Sequence, residues 1–122
     1  MIYLDNAATT KVSKDAWDAA RIAIRDSYGN PSSLHKAGTD AAKIVQKARE
    51  QIAKCIGAKP DEIIFTAGGS ESDNLALRGI APCLKQNGKT TIITSQIEHH
   101  AVLNTCKVLE NDGFKVIYMP VD

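Results

Sequence analysis

Apolar residues recur along this chain at two different spacings, and the change between them divides it. In the first half the spacing is helical. Ala16, Trp17, Ala20, Ala23 and Ile24 share one face of a helix that Ser13 can cap and that reaches about Ser27. A second helix is predicted from about His35 to Ile56, with Ala37, Ala41, Ile44, Val45, Ala48, Ile52 and Ile56 as its apolar stripe. Asp40, Lys43, Lys47, Glu50 and Lys54 occupy the opposite, solvated face, where Glu50 and Lys54 stand as an i,i+4 pair. Gly57 sits where a helix C-terminus wants a left-handed residue, and Pro60 follows. Met1-Ile-Tyr-Leu4 reads as a short extended start and Asp5 to Thr10 as a polar turn. Tyr28-Gly-Asn-Pro-Ser-Ser33 is a loop between the helices.

Beyond Glu62 the pattern shifts. Ile63-Ile64-Phe65 is an uninterrupted β-branched and aromatic run, which predicts a central strand over Ile63–Thr66 in a sheet interior. The run breaks at Ala67-Gly68-Gly69. Helical spacing resumes at Ser70, through Leu75, Leu77, Ile80, Ala81 and Leu84, and stops at Asn87-Gly88. Ser70 and Asp73 stand in capping-box order, which makes Ser70 the expected N-cap. Thr90–Thr94 is a second strand. Gln96 to His100 leads into a fourth helix, with Val102, Leu103, Cys106 and Leu109 inward, ending at Asp112-Gly113; Phe114–Met119 is a third strand closed by Pro120. Two helices followed by β-α-β-α-β predict an α/β fold with a mostly parallel sheet flanked by helices and right-handed crossovers. No internal repeat, low-complexity tract or linker interrupts the order. Parallel sheets normally bury both faces and continue past three strands, so a piece of a longer protein is expected.

Composition narrows the class without redirecting it. At 122 residues the chain is at most one domain's worth, able to bury about two-thirds of its unfolded surface. Fifteen basic residues against fourteen acidic ones leave a net charge of +1, so nothing points to nucleic acid or an anionic membrane. No apolar run approaches the ~20 residues of a membrane span, and the first residues do not look like a secretory signal. Cys55, Cys83 and Cys106 are widely spaced, without a CxxC pair. They are expected as small buried or half-buried helix thiols in a reducing cytoplasm, with no zinc site and no disulfide framework.

One stretch carries candidate chemistry. Strand, glycine pair and helix start, from Phe65 to Ser70, would aim several free backbone N–H groups at one spot, and the helix dipole favours an anion there. Such a stretch reads as a phosphate cradle. A plain strand-to-helix turn that binds nothing uses the same residues. It is not a Walker loop, since no Lys follows either glycine. It is not GxGxxG, since the glycines are adjacent and no third appears. A single small phosphate, as on a cofactor, suits so short a cradle. His99, taken alone, reads as a helix-start residue making local hydrogen bonds.

Four motifs in order carry a resemblance: Tyr3-Leu-Asp-Asn-Ala-Ala-Thr-Thr10, Gly29-Asn-Pro-Ser-Ser33, Ile63-Ile-Phe-Thr-Ala-Gly-Gly-Ser-Glu-Ser-Asp-Asn-Leu-Ala76 and Glu98-His-His-Ala-Val102. Together they resemble the N-terminal part of a cysteine desulfurase, one of the class V aminotransferases and so a fold type I pyridoxal-phosphate enzyme. The resemblance implies residues 1–12 as an N-terminal segment packing near the small domain and active site. It implies 13–122 as an incomplete N-terminal part of the large cofactor-binding domain. It matches Gly69 and Ser70 to the pair whose backbone N–H groups hold the phosphate of pyridoxal 5'-phosphate. It matches His99 to the histidine that stacks on the pyridine ring and shuttles protons, both a cofactor-binding and a catalytic residue. His100 stands where relatives often carry Lys, and Gly69-Ser70 where many carry Ala-Thr.

The family activity implied is conversion of L-cysteine to L-alanine and an enzyme-bound persulfide, for iron–sulfur cluster assembly or tRNA thiolation, in a cytoplasmic homodimer that meets a sulfur acceptor or scaffold protein. The lysine that binds the cofactor covalently, the Asp that pairs with its ring nitrogen and the cysteine that takes the sulfur all lie downstream in the family. None of the eleven lysines here sits in the matching motif, and none of the three cysteines is expected to be catalytic. The 122 residues alone are therefore expected to be inactive. Alternatives are a selenocysteine lyase, another class V enzyme, or a non-enzymatic scaffold or dimerisation piece. A Rossmann-like nucleotide site is disfavoured by the missing third glycine and the absent acidic residue after the second strand.

Overall fold

A computed structural model describes residues 2–122, so Met1 of the predicted extended start lies outside the described residues. The chain divides into two compact units, one ending at Ile64 and the other running from Phe65 to Asp122.

The first unit is helical. Its first residues are exposed, and Ala8 and Thr9 N–H groups donate to the Asp5 carbonyl in the predicted polar turn. Helix α1 spans Lys14–Asp26, and the Ser13 hydroxyl accepts from the Ala16 N–H at 3.2 Å, as a capping serine should. None of its residues is buried; Trp17 is 57% and Ile24 73% exposed. Helix α2 spans Lys36–Ile56. His35 caps it through Nδ1, and Gly57 ends it in the left-handed region at φ 68°. Ala41, Ala53 and Ile63 are the buried apolar residues here. A 3₁₀ turn at Pro60–Glu62 packs against α2, and the Arg49 side chain donates to the Ile63 carbonyl. The expected Glu50–Lys54 pair does not form. Asp40 instead pairs with Lys36 and Lys43 at 2.7 and 3.3 Å, while Glu50 accepts from Gln46. Hydrogen bonds from these two ammonium groups hold the Asp40 carboxyl below its ordinary range.

The second unit is α/β. Helix α3 runs Gly69–Gln86, strand β1 Thr91–Ser95, helix α4 His100–Asn111 and strand β2 Lys115–Met119. The strands pair in parallel, with Thr91 opposite Lys115 and Ser95 opposite Met119, and α4 forms the connection between them. Helix α4 packs on α3 and on β2. The core lies among these elements: Ala81, Leu109 and Phe114 are buried, with Leu77 and Ile92 packed against them. Ile93, one position along β1 and hence on the opposite face, is 67% exposed. Pro82 is carried inside α3, where it removes one backbone donor from the helix.

Two sequence expectations require correction. Ile63–Thr66 is not a strand. Ile63 is buried and extended (φ −91°, ψ 124°), but Ile64 is 67% and Phe65 47% exposed, and no described strand pairs with the run. The expected extended backbone is seen at Ile63; a ladder additionally needs a partner distant in sequence. Only two of the three expected strands form among the described residues. The cysteines also differ from expectation, since Cys106 is buried while Cys55 and Cys83 are exposed.

Candidate functional site

The start of α3 differs from the capping box that the sequence suggested. Gly68 is the N-cap, with no side-chain cap hydrogen bond, and Ser70 lies inside the first turn. The shift follows from competing polar side chains. The Glu71 carboxylate reaches back to accept from the Ala67 N–H at 2.6 Å. The Thr66 and Ser72 hydroxyls bond to each other at 2.7 Å, and both reach the Gly68 carbonyl. With 66–68 held this way, the first intrahelical bond runs from the Ser72 N–H to the Gly68 carbonyl. The N–H groups of Gly69, Ser70 and Glu71 therefore have no intrahelical acceptor. A Cβ built on Gly68 or Gly69 would meet nothing within 4 Å, so the approach to these donors is open.

The start of α4 carries the second candidate. His99 is its N-cap, and His99 Nδ1 accepts from the Ala101 N–H at 3.1 Å. That is the local helix-start role read from the sequence. It also fixes the neutral ring with its proton on Nε2, as assigned from the hydrogen-bond network. The ring is exposed, with the His100 ring 6.2 Å away. Ser95 Oγ holds Glu98 at 2.8 Å, steadying the approach to the helix from β1.

Ser70 and His99, 29 positions apart, line the same groove of ≈ 360 Å³. Asn74 of α3 and His100, Asn104 and Thr105 of α4 complete much of its wall. Gly69 does not line it; it belongs to the helix tip beside it. The volume lies at the small end of the range for ligand sites. The sequence reasoning missed Asn74, Asn104 and Thr105. The available signal was spacing: Asn74 is four residues after Ser70, and Thr105 four after Ala101, so each stands over the first turn of its helix. Among the described residues no group of three or more His, Cys, Asp or Glu side chains is arranged to hold a metal.

The chain matches the family described as Aminotransferase class-V over residues 2–122. The chain belongs to the class-V aminotransferase family. Among similar family members, "Cysteine desulfurase IscS" of Dictyoglomus turgidum is 51% identical over 121 residues, which are 99% of this chain and 30% of that protein. "Cysteine desulfurase" of Nostoc sp. is 51% identical over 122 residues, again 30% of its length. Of solved structures, a NifS-like protein matches with a TM-score of 0.88 at 44% identity, covering 99% of this chain and 33% of that one. A structure described as SspA in complex with cysteine matches at 0.84 and 45%, covering 96% and 33%. The chain thus spans about 30% of the length of these curated class-V relatives. No helix among the described residues is long and apolar enough to cross a membrane.

Proposed function

We propose that this chain supplies the phosphate cradle and the ring-facing histidine of a pyridoxal-phosphate-dependent cysteine desulfurase, which turns L-cysteine into L-alanine and an enzyme-bound persulfide. The observation carrying this reading is the convergence of Ser70 and His99, on two helix N-termini, at one groove. High identity to proteins named cysteine desulfurase supports the reaction, and the cysteine bound by SspA supports the substrate.

The residues present fit the cofactor. Its phosphate is a dianion, and the free Gly69 and Ser70 N–H groups with the α3 dipole suit it. Glu71 is the opposing charge, and its bond to the Ala67 N–H draws it back toward the preceding loop. When bound, pyridoxal phosphate supplies an electron sink for the substrate's reacting carbon. In this reading His99 flanks the cofactor ring with Nδ1 already engaged by Ala101, so Nε2–H is the edge available to donate a hydrogen bond. The uncovered face of α1, with Trp17 and Ile24, supports a homodimer, and a sulfur-acceptor protein receives the persulfide.

The test is alanine and sulfide production from cysteine with added cofactor, on the complete enzyme and on the 122 residues alone. The complete enzyme should turn over and the 122 residues should not, because Cys55, Cys83 and Cys106 all lie inside helices. Failure of the complete enzyme to release alanine from cysteine, while it acts on another amino acid, would refute the substrate assignment.

A further inference from the structure

We infer that Asn74 and Thr105 are a positioning pair that sets the phosphate cradle of α3 and keeps it in register with His99 of α4. The inference rests on the cradle reading above. Asn74 Nδ2 donates to the Ser70 carbonyl at 2.9 Å. That carbonyl shares a peptide unit with the N–H of Glu71, one of the three free donors at the helix tip. A hydrogen bond received at the oxygen polarises the peptide and makes its N–H a stronger donor. The other end of the same amide, Oδ1, accepts from the Thr105 hydroxyl at 3.0 Å. The hydroxyl proton is shared with the Ala101 carbonyl at 2.7 Å. Ala101 in turn donates its N–H to His99 Nδ1.

The bonds therefore run from the α3 tip through two side chains to the Ala101 carbonyl, and the N–H of the same residue, in the preceding peptide unit, bonds the residue that caps α4. Thr105 is only 3% exposed. A helical Thr can satisfy its donor on the carbonyl four residues back, within its own helix. Thr105 does that and also reaches a side chain on the neighbouring helix, whose other end grips the cradle peptide. A contact serving packing alone would not need an amide oriented by bonds at both ends. Both side chains also line the groove, and the effect inferred for them runs through the backbone groups that they bond.

The test compares dissociation constants of the complete enzyme for pyridoxal phosphate and for pyridoxal, which lacks the phosphate. Asn74→Ala and Thr105→Val should each weaken pyridoxal phosphate about tenfold, the scale of one net hydrogen bond. Both should weaken pyridoxal by a clearly smaller factor than pyridoxal phosphate and shift the phosphorus resonance of the bound cofactor. Thr105→Ser, which keeps the hydroxyl, should restore wild-type affinity. Equal weakening of both ligands, or unchanged affinity with only a lower urea midpoint, would make the pair a fold contact and overturn the inference. A wild-type enzyme with no preference for the phosphorylated ligand would overturn the cradle reading itself; if only the pair is misassigned, the wild-type preference survives.

Discussion

Replacing Gly38 by Ala should destabilise this protein, although the same change at Gly79 should stabilise it. Both glycines lie inside helices, α2 and α3. Helix propensity alone favours Ala over Gly by about 1 kcal/mol. At Gly79 nothing stands within 4 Å of an added Cβ, so the propensity gain is realised. At Gly38 the Cβ would lie 2.3 Å from the Ser33 carbonyl oxygen, 2.7 Å from that of Asn30 and 2.7 Å from the Ser33 Cβ. Two of these are backbone atoms that no rotamer change can move. They belong to a loop closed by the Ser33 N–H on the Asn30 carbonyl, so relief requires displacing the whole turn. Overpacking of this kind costs about 1–3 kcal/mol. Two clashes with backbone oxygens put Gly38→Ala in the upper part of that range, about 2–3 kcal/mol, and subtracting the propensity gain leaves roughly 1–2 kcal/mol of destabilisation.

Urea unfolding followed by far-ultraviolet circular dichroism reads both variants. With a slope of about 1–3 kcal/mol/M, the Gly38→Ala midpoint should fall by roughly 0.5–1 M and the Gly79→Ala midpoint should rise by a few tenths. A Gly38→Ala protein at least as stable as wild type would show that the loop 30–33 yields freely. The argument from close backbone approach would then fail. Gly29→Ala is an independent check, because its Cβ would sit 2.2 Å from the Ala37 carbonyl oxygen, on the same helix start.

Other consequences are equally direct. Leu109→Ala, at a position 3% exposed between Ala81 and Phe114, should cost about 2–5 kcal/mol in denaturant; a loss below 1 kcal/mol would mean that the second unit has little core. Cys55 and Cys83 should react with iodoacetamide at pH 8 while Cys106 resists, and equal rates for all three thiols would contradict the burial. Burial, with Glu110 and Glu98 nearby, raises the Cys106 thiol above its ordinary range. Its stabilising contribution is therefore whole below that range and is lost as pH rises through it, so the urea midpoint should fall in alkali and fall less in Cys106→Ala. In the complete enzyme, His99→Ala should reduce turnover more than stability. Ser70→Pro should weaken cofactor retention while Ser70→Ala does not, because only Pro removes the backbone donor and the first helical turn tolerates it.

Features decided within one helical turn were legible in the sequence. Ser13 and Gly57 end their helices as their chemistry requires, and α4 stops at Asp112 just before Gly113. The parallel pairing of the last two strands followed from the helix-length connection between them. Where several polar residues competed for the same backbone donors, the reading slipped. Ser70 had the right type and spacing for a cap, but Thr66, Glu71 and Ser72 together fixed the turn two residues earlier. The Ile63–Thr66 run failed for a different reason: a side-chain pattern reports extended backbone, and pairing depends on atoms far along the chain.

The consequence of the earlier helix start reaches the site. A serine at the cap would have spent its hydroxyl on a backbone N–H of the first turn and withdrawn one donor from any ligand. With Gly68 at the cap, no side-chain oxygen takes that place, and Ser70 contributes its own N–H within the first turn. The side chains around the tip are nevertheless held in place, because Glu71 and Ser72 bond back to Ala67 and Gly68, Thr66 bonds forward to the Gly68 carbonyl, and Asn74 donates to the Ser70 carbonyl. A Cβ built on Gly68 or Gly69 would still meet nothing within 4 Å, so these contacts leave the approach to the tip open. Capping by His99 has the opposite character at α4, where the side chain consumes a donor and leaves its Nε2 edge outward. One helix therefore presents bare backbone donors and the other a single oriented ring, and a ligand with a phosphate at one end and an aromatic ring at the other matches both.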